Sequence, residues 1–142
     1  VETFVLVLGF INLLVGIVSI GAGRWRGRPA DAEKATSGLP TTTLFVPCCG
    51  DEEGLDRNLE ALLAQDYPDL RLRFIVENQS DTAVPVIVSL LDRFGDKGEL
   101  ILAGRASGRG QKVHNLLVAL DDAPASEVWA FADSDGRPDP GW

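Results

Sequence analysis

The hydrophobic positions of the chain fall into two regimes. Residues 4–22 (FVLVLGFINLLVGIVSIGA) form one apolar run in which Asn12 and Ser19 are the only clearly polar side chains. At about 1.5 Å per residue the run makes a helix of roughly 28 Å, close to the thickness of a bilayer's hydrocarbon core. A helix in a globular core rarely stays apolar on every face for so long. A signal peptide would carry positive charge ahead of the run and a cleavage site behind it. Here Arg24, Arg26 and Arg28 follow it, with Trp25 at the interface. That arrangement predicts a transmembrane anchor with a basic flank over residues 1–28, in a cell (inner) membrane, with the downstream side cytoplasmic.

Residues 29–41 (PADAEKATSGLPT) are small and polar and read as a linker. Beyond them, short apolar runs alternate with helix-spaced ones. Residues 42–48 (TTLFVPC) predict a strand, and Leu55, Leu59, Leu62 and Leu63 then recur at helical spacing until Tyr67-Pro68. Residues 72–76 predict a second strand, and residues 84–94 a helix that tolerates Pro85 in its first turn. Residues 99–103 predict a third strand, residues 111–120 a third helix, and residues 128–132 (VWAFA) a buried fourth strand ending at Asp133. This rhythm predicts an α/β domain, a mostly parallel sheet with helices on both faces.

Charge narrows the partners. Three of the 13 basic residues (Arg24, Arg26, Arg28) and one of the 21 acids (Glu2) precede Asp31, so 10 bases and 20 acids remain downstream. Such a surface repels polyphosphate backbones and argues against nucleic acid. A small phosphorylated ligand would need a local positive site or a bridging cation. Cys48 and Cys49 are adjacent, which disfavours a disulfide between them, and they read as two buried thiols at a strand end. The chain has 142 residues and begins at Val1, so it reads as a fragment of a longer protein.

In open α/β sheets ligands bind beyond the carboxyl ends of the strands. Four loops meet that condition: residues 50–54, 77–81, 104–112 and 133–136. Asp133-Ser134-Asp135 follows an apolar strand directly. In extended backbone, residues i and i+2 face the same way, so both carboxylates can converge on one hard cation, Mg²⁺ or Mn²⁺. The same tripeptide is also ordinary turn composition. The loop Gly104-Arg-Ala-Ser-Gly-Arg-Gly-Gln-Lys112 opens a helix and can offer backbone N–H groups and Lys112 to an anion. It matches neither the P-loop nor the dinucleotide fingerprint, and a mobile loop with solvated charges has the same composition. His114, the lone histidine, reads as structural. Glu77, Asn78 and Asp81 follow the second strand, where a carboxylate or carboxamide can bond a base or ribose, or simply make an acidic loop.

Together these residues resemble family 2 glycosyltransferases of the A-type fold. The resemblance rests on Val46-Pro47, Gln65-Asp66-Tyr67-Pro68, Gly110-x-Lys112…Asn115 and Phe131-x-Asp133-x-Asp135…Pro138, and covers about residues 42–142. Within the family, Gly104…Gly108…Lys112-Val-His-Asn115-Leu116 is most similar to the ceramide-glucosyltransferase branch. The resemblance implies the nucleotide-sugar-binding, Rossmann-like half of such a domain. It also implies a nucleotide-diphospho-sugar donor (taken as a UDP-sugar), a divalent cation, a lipid acceptor at the membrane, and an inverting displacement. By position, Asp133 and Asp135 would hold the metal, with Asp133 also contacting the donor. Pro47, Glu77, Asn78, Asp81 and Lys112 would line the donor. Where the family places an acid after the second strand this chain has Asn78, with Glu77 beside it, and the ceramide branch often has one acid where this chain has Asp-x-Asp.

The resemblance places the acceptor-deprotonating base and a Gln/Arg-x-x-Arg-Trp motif beyond Asp135, and neither is found here, so the fragment alone is expected to be inactive. Two other functions remain open on the sequence alone. A nucleotidyltransferase would want a basic, glycine-rich loop after the first strand, where Gly50-Asp51-Glu52-Glu53-Gly54 is acidic. A membrane-tethered nucleotide-binding module would lack transfer activity.

Overall fold

A computed structural model describes residues 38–50 and 52–142. The expected membrane helix at residues 4–22 lies outside them. Among the described residues no helix is long and apolar enough to cross a membrane.

The compact unit Gly38–Trp142 runs β1 (Thr42–Pro47), α1 (Leu55–Leu63), β2 (Leu70–Val76), α2 (Ala83–Phe94), a 3₁₀ turn (Gly95–Lys97), β3 (Gly98–Leu102), α3 (Gln111–Asp121) and β4 (Val128–Phe131). The sheet order is β3-β2-β1-β4 and every pairing is parallel. Backbone bonds continue the pairing past the strand ends, from Cys48 N to Ile75 O and from Ala132 N to Phe45 O.

Strand alternation sorts the core onto two faces. Leu44, Val46, Leu72, Phe74 and Val76 meet the leucines of α1 and the Ala83–Val84–Ile87–Leu90 stripe of α2. Phe45 and Ile75 point the other way, under Leu116, Ala119 and Leu120 of α3. Helices therefore cover both faces, as the alternation predicts. Arg73 shares the α3 face at 2% exposure. Its guanidinium donates to Ala119 O at 2.6 Å, near the carboxyl end of α3, where positive charge complements the helix dipole. Its Nε lies 2.8 Å from Glu99 without an aligned hydrogen bond, so that contact is an ion pair only.

Three details depart from the sequence reading. The first helix ends at Leu63 rather than at Tyr67-Pro68, because Gln65 and Asp66 turn away to bond the chain at residues 139–140. The end of the expected linker is tied into the domain: Pro40 O accepts from Tyr67 Oη at 2.7 Å, and Thr41 bonds Glu127. The fourth strand is not buried. Phe131 stacks on Phe45 and Trp129 meets it edge-on, yet Trp129 and Phe131 stay 50% and 52% exposed. The physical reason is that α3 packs over β1 and β2, and among the described residues no strand pairs with the outer side of β4.

Candidate functional site

The strand order creates the site. The chain steps outward from β1 to β2 and β3, then crosses back so that β4 lies on the other side of β1. Loops leaving β1 and β4 therefore diverge and open a crevice, the usual ligand position in such sheets. A cavity of about 360 Å³ occupies it, within the range of small-molecule sites. Pro47 comes from the end of β1, Cys49 and Glu52 from the loop after it, Lys112 and Asn115 from α3, and Asp133 and Asp135 from the segment after β4. A larger cavity, about 610 Å³, opens at the opposite edge beside Thr42, Leu70 and Ser126. It sits at the amino ends of the strands, where this architecture does not place ligands, so the smaller one is the candidate.

Of the residues singled out in the sequence, Pro47, Lys112, Asp133 and Asp135 come together here. Asp133 and Asp135 do not converge by strand alternation, because β4 stops at Phe131 and Ser134-Asp135 form a turn. The turn is instead held from beneath. Ser134, 8% exposed, donates to Glu52 Oε2 at 3.2 Å, which leaves the flanking carboxylates outward. Asp133 Oδ1 receives Lys112 Nζ at 2.5 Å. A third cavity, about 380 Å³, shares Asp133 and Asp135 and is also faced by Leu62, Phe131, Arg137, Pro138 and Trp142.

Glu77, Asn78 and Asp81 lie at the same sheet edge but do not line the crevice. Asn78 Oδ1 accepts from Ser80 N at 2.9 Å, closing a local turn. Asp81 Oδ1 accepts from Ala83 N, at the start of α2, and from Gly50 N in the loop after β1, each at 2.9 Å. Asp81 therefore joins two of the four loops. His114 has its Nε2 3.0 Å from Ala103 O, tying α3 to the end of β3.

Gln111 was not singled out by the sequence. Its side chain receives Ala106 N at 2.8 Å and donates to Gly104 O at 2.8 Å and to Asn115 Oδ1 at 2.7 Å. It closes the glycine loop on itself, a fold made possible by positive φ at Gly104 and Gly108. The first turn of α3 has no side-chain cap, so its N–H groups remain available beside the cavity. The signal for Gln111 was its place at the first position of that helix.

The two cysteines differ. Cys48 is buried and its thiol is pushed up to about 12 by burial, then by Glu52, Asp81 and Cys49. Cys49 is exposed and lines the cavity, which corrects the expectation of two buried thiols. The chain turns outward after Cys48, so the next side chain faces solvent.

Among the described residues no group of three or more His, Cys, Asp or Glu is arranged to hold a metal by itself. Two exposed carboxylates on one turn fit a hard cation that takes its remaining ligands from phosphate and water, as Mg²⁺ commonly does. They do not fit a closed zinc site.

Comparison with known proteins bears on the family and the fold. The chain is 25% identical to ceramide glucosyltransferase 3 of Caenorhabditis elegans over 96% of its own length and 31% of the relative's. It is 27% identical to ceramide glucosyltransferase 1 of the same organism over 57% of its length and 18% of the relative's. It thus spans about a third or less of these relatives. Its fold is similar to mannosyltransferase PcManGT from Pyrobaculum calidifontis, solved with GDP-Man and Mn²⁺ (TM-score 0.59, 24% identity, 84% of this chain and 34% of that one). It is also similar to S. aureus TarS 1-349 (TM-score 0.55, 20% identity, 70% and 29%). The parallel four-stranded α/β sheet matches these A-type glycosyltransferase neighbours. The profile of glycosyl transferase family 21 matches residues 4–140. By that match the chain belongs to glycosyl transferase family 21, a family-2-type group of the ceramide glucosyltransferase branch.

Proposed function

We propose that residues 42–142 form the donor-binding half of a membrane-anchored hexosyltransferase that moves a sugar from a nucleotide-diphospho-sugar to a lipid. The anchor is residues 4–22, residues 29–41 lead from it, and the catalytic side is cytoplasmic. A UDP-sugar is the first donor to test. The observation that carries the reading is the crevice at the β1/β4 divergence, where three carboxylates, a lysine and an uncapped helix terminus face one cavity.

Each group has a task in this reading. The N–H groups opening α3, with Lys112, receive the diphosphate. Asp133 and Asp135 would hold Mg²⁺ or Mn²⁺, which would supply stabilisation of negative charge on the departing diphosphate. Asp133 also contacts the donor. Pro47 walls the cleft, and Glu77, Asn78 and Asp81, outside its lining but at the same sheet edge, would meet the base of a donor that extends past it on the β2 side. Glu52 holds the metal-binding turn through Ser134. The acceptor hydroxyl oxygen would bond the sugar's anomeric carbon as the bond to the diphosphate breaks, in one inverting step that passes the hydroxyl proton to a general base. We assign no catalytic base to residues 38–142.

The test is transfer of radiolabelled sugar from UDP-sugars and GDP-mannose to a lipid extract, using membranes that express the whole gene. Labelled lipid is expected. Nucleotide binding without labelled product would favour a binding module instead.

A further inference from the structure

Lys112 carries a second role, which rests on the donor-binding reading above. Its Nζ stands 2.5 Å from Asp133 Oδ1, and the two side chains are 61% and 64% exposed. Three carboxylates (Glu52, Asp133, Asp135) and one ammonium face the cavity, a formal charge of −2. A diphosphate arriving alone therefore meets net repulsion. A divalent cation arriving alone finds Asp133 already engaged and an ammonium beside it. Each ligand supplies what the other lacks, because phosphate oxygens give Lys112 a new partner and the cation neutralises the carboxylates.

We propose that Lys112 is an exchangeable counter-ion of Asp133, and that its exchange onto the donor makes cation and diphosphate bind as a coupled pair. The placement suits this. Lys112 is the second residue of α3, whose amino-terminal N–H groups carry no side-chain cap. A phosphate seated at that helix end comes within reach of the flexible lysine stem without backbone movement. Exposure matters as much as distance. A buried Lys–Asp pair would resist separation strongly, whereas an exposed one is weak and solvent compensates its opening. Glu52, the remaining acid of the cavity, accepts from Ser134 Oγ at 3.2 Å and stays with the turn during the exchange. Such coupling is reciprocal, so each ligand tightens the other by the same factor.

Titration calorimetry on the full chain in detergent tests this with Mn²⁺ alone, UDP alone, and UDP in saturating Mn²⁺. Wild type is expected to bind each ligand weakly alone and more tightly in the presence of the other. Lys112→Met should bind Mn²⁺ alone about two- to fivefold more tightly, the scale of a released exposed ion pair. The same variant should bind UDP with Mn²⁺ more weakly, and the mutual tightening should shrink. Lys112→Arg should restore most of it. If Lys112→Met and Lys112→Gln leave the affinity for Mn²⁺ alone unchanged or lower, the counter-ion role is overturned while the donor site stands. If wild type binds no UDP even with Mn²⁺, both readings fall.

Discussion

Gln65 and Asp139 lie 74 positions apart, and Gln65 Nε2 donates to the Asp139 carbonyl at 2.9 Å. The next residue repeats the link, Asp66 N to Pro140 O at 2.8 Å. Arg137 Nε adds a bond to Asn58 Oδ1 at 3.2 Å. The chain leaving the Asp133–Asp135 turn is therefore stitched along α1, and the Gln65-Asp66 pair acts as a clamp on the site from behind.

Replacing Gln65 with Ala should cost about 1–3 kcal/mol, since it strips hydrogen bonds from a buried position. Gln65→Met should cost less, because it fills the volume and removes the buried Gln65 Oε1, which has no partner. Urea midpoints measure both. UDP affinity with Mn²⁺ should fall with Gln65→Ala, since the turn loses its support.

Thiol chemistry separates the two cysteines. A maleimide should label Cys49 and spare Cys48 in the folded protein, and UDP with Mn²⁺ should slow the labelling. Mass mapping of the labelled peptide and a time course with ligand check this. Labelling of Cys48 would contradict its burial, and a rate indifferent to ligand would contradict the position of Cys49 in the donor cavity.

Cys48 also makes a pH prediction. Its thiol pKa rises from 9.0 to about 12 on folding. Above pH 9 the unfolded chain has lost this proton and the folded chain keeps it, so stability declines as pH rises toward 12. Cys48→Ala removes that contribution. Between about pH 9 and 12, its denaturation midpoint should fall less steeply than that of wild type.

Much of the fold was legible because β1 and β2 are buried on both faces and carry short apolar runs, Leu44-Phe45-Val46 and Phe74-Ile75-Val76, beside a few polar residues such as Thr43 and Arg73. The leucines of α1 were equally plain, at spacings only a helix can bring together. β4 misled, since Val128, Trp129 and Phe131 suggested burial that the described residues do not provide. At the site, Asp133, Asp135 and Lys112 were singled out from loops at strand ends and Pro47 from the family resemblance, and the four line one cavity. Gln111 and the Ser134–Glu52 bond were missed, because a polar side chain's partner across the sheet depends on tertiary placement that no local pattern encodes. The extended backbone expected at the aspartates is not there: β4 ends at Phe131, and a supported turn is what places Asp133 and Asp135 on the same cavity.

The orientation of the proposed anchor follows from Arg24, Arg26 and Arg28. A reporter fused after Trp142 should be cytoplasmic. Digestion of that domain by protease added outside sealed cells would reverse the assignment.

The central claim is that Asp133 and Asp135 bind the donor through a shared divalent cation. Two carboxylates facing a diphosphate at a few ångströms repel it strongly in a partly dehydrated cleft unless a cation lies between them. Asp135 is exposed, so Asp135→Ala should leave the melting curve unchanged. Calorimetric titration of a UDP-sugar into wild type with Mn²⁺, wild type with chelator, and Asp135→Ala with Mn²⁺ decides the matter. The account predicts at least a tenfold loss of affinity, about 1.4 kcal/mol, in the second and third titrations. Equal affinity with chelator, or normal binding by Asp135→Ala, would reduce Asp133-Ser134-Asp135 to a solvent-facing turn.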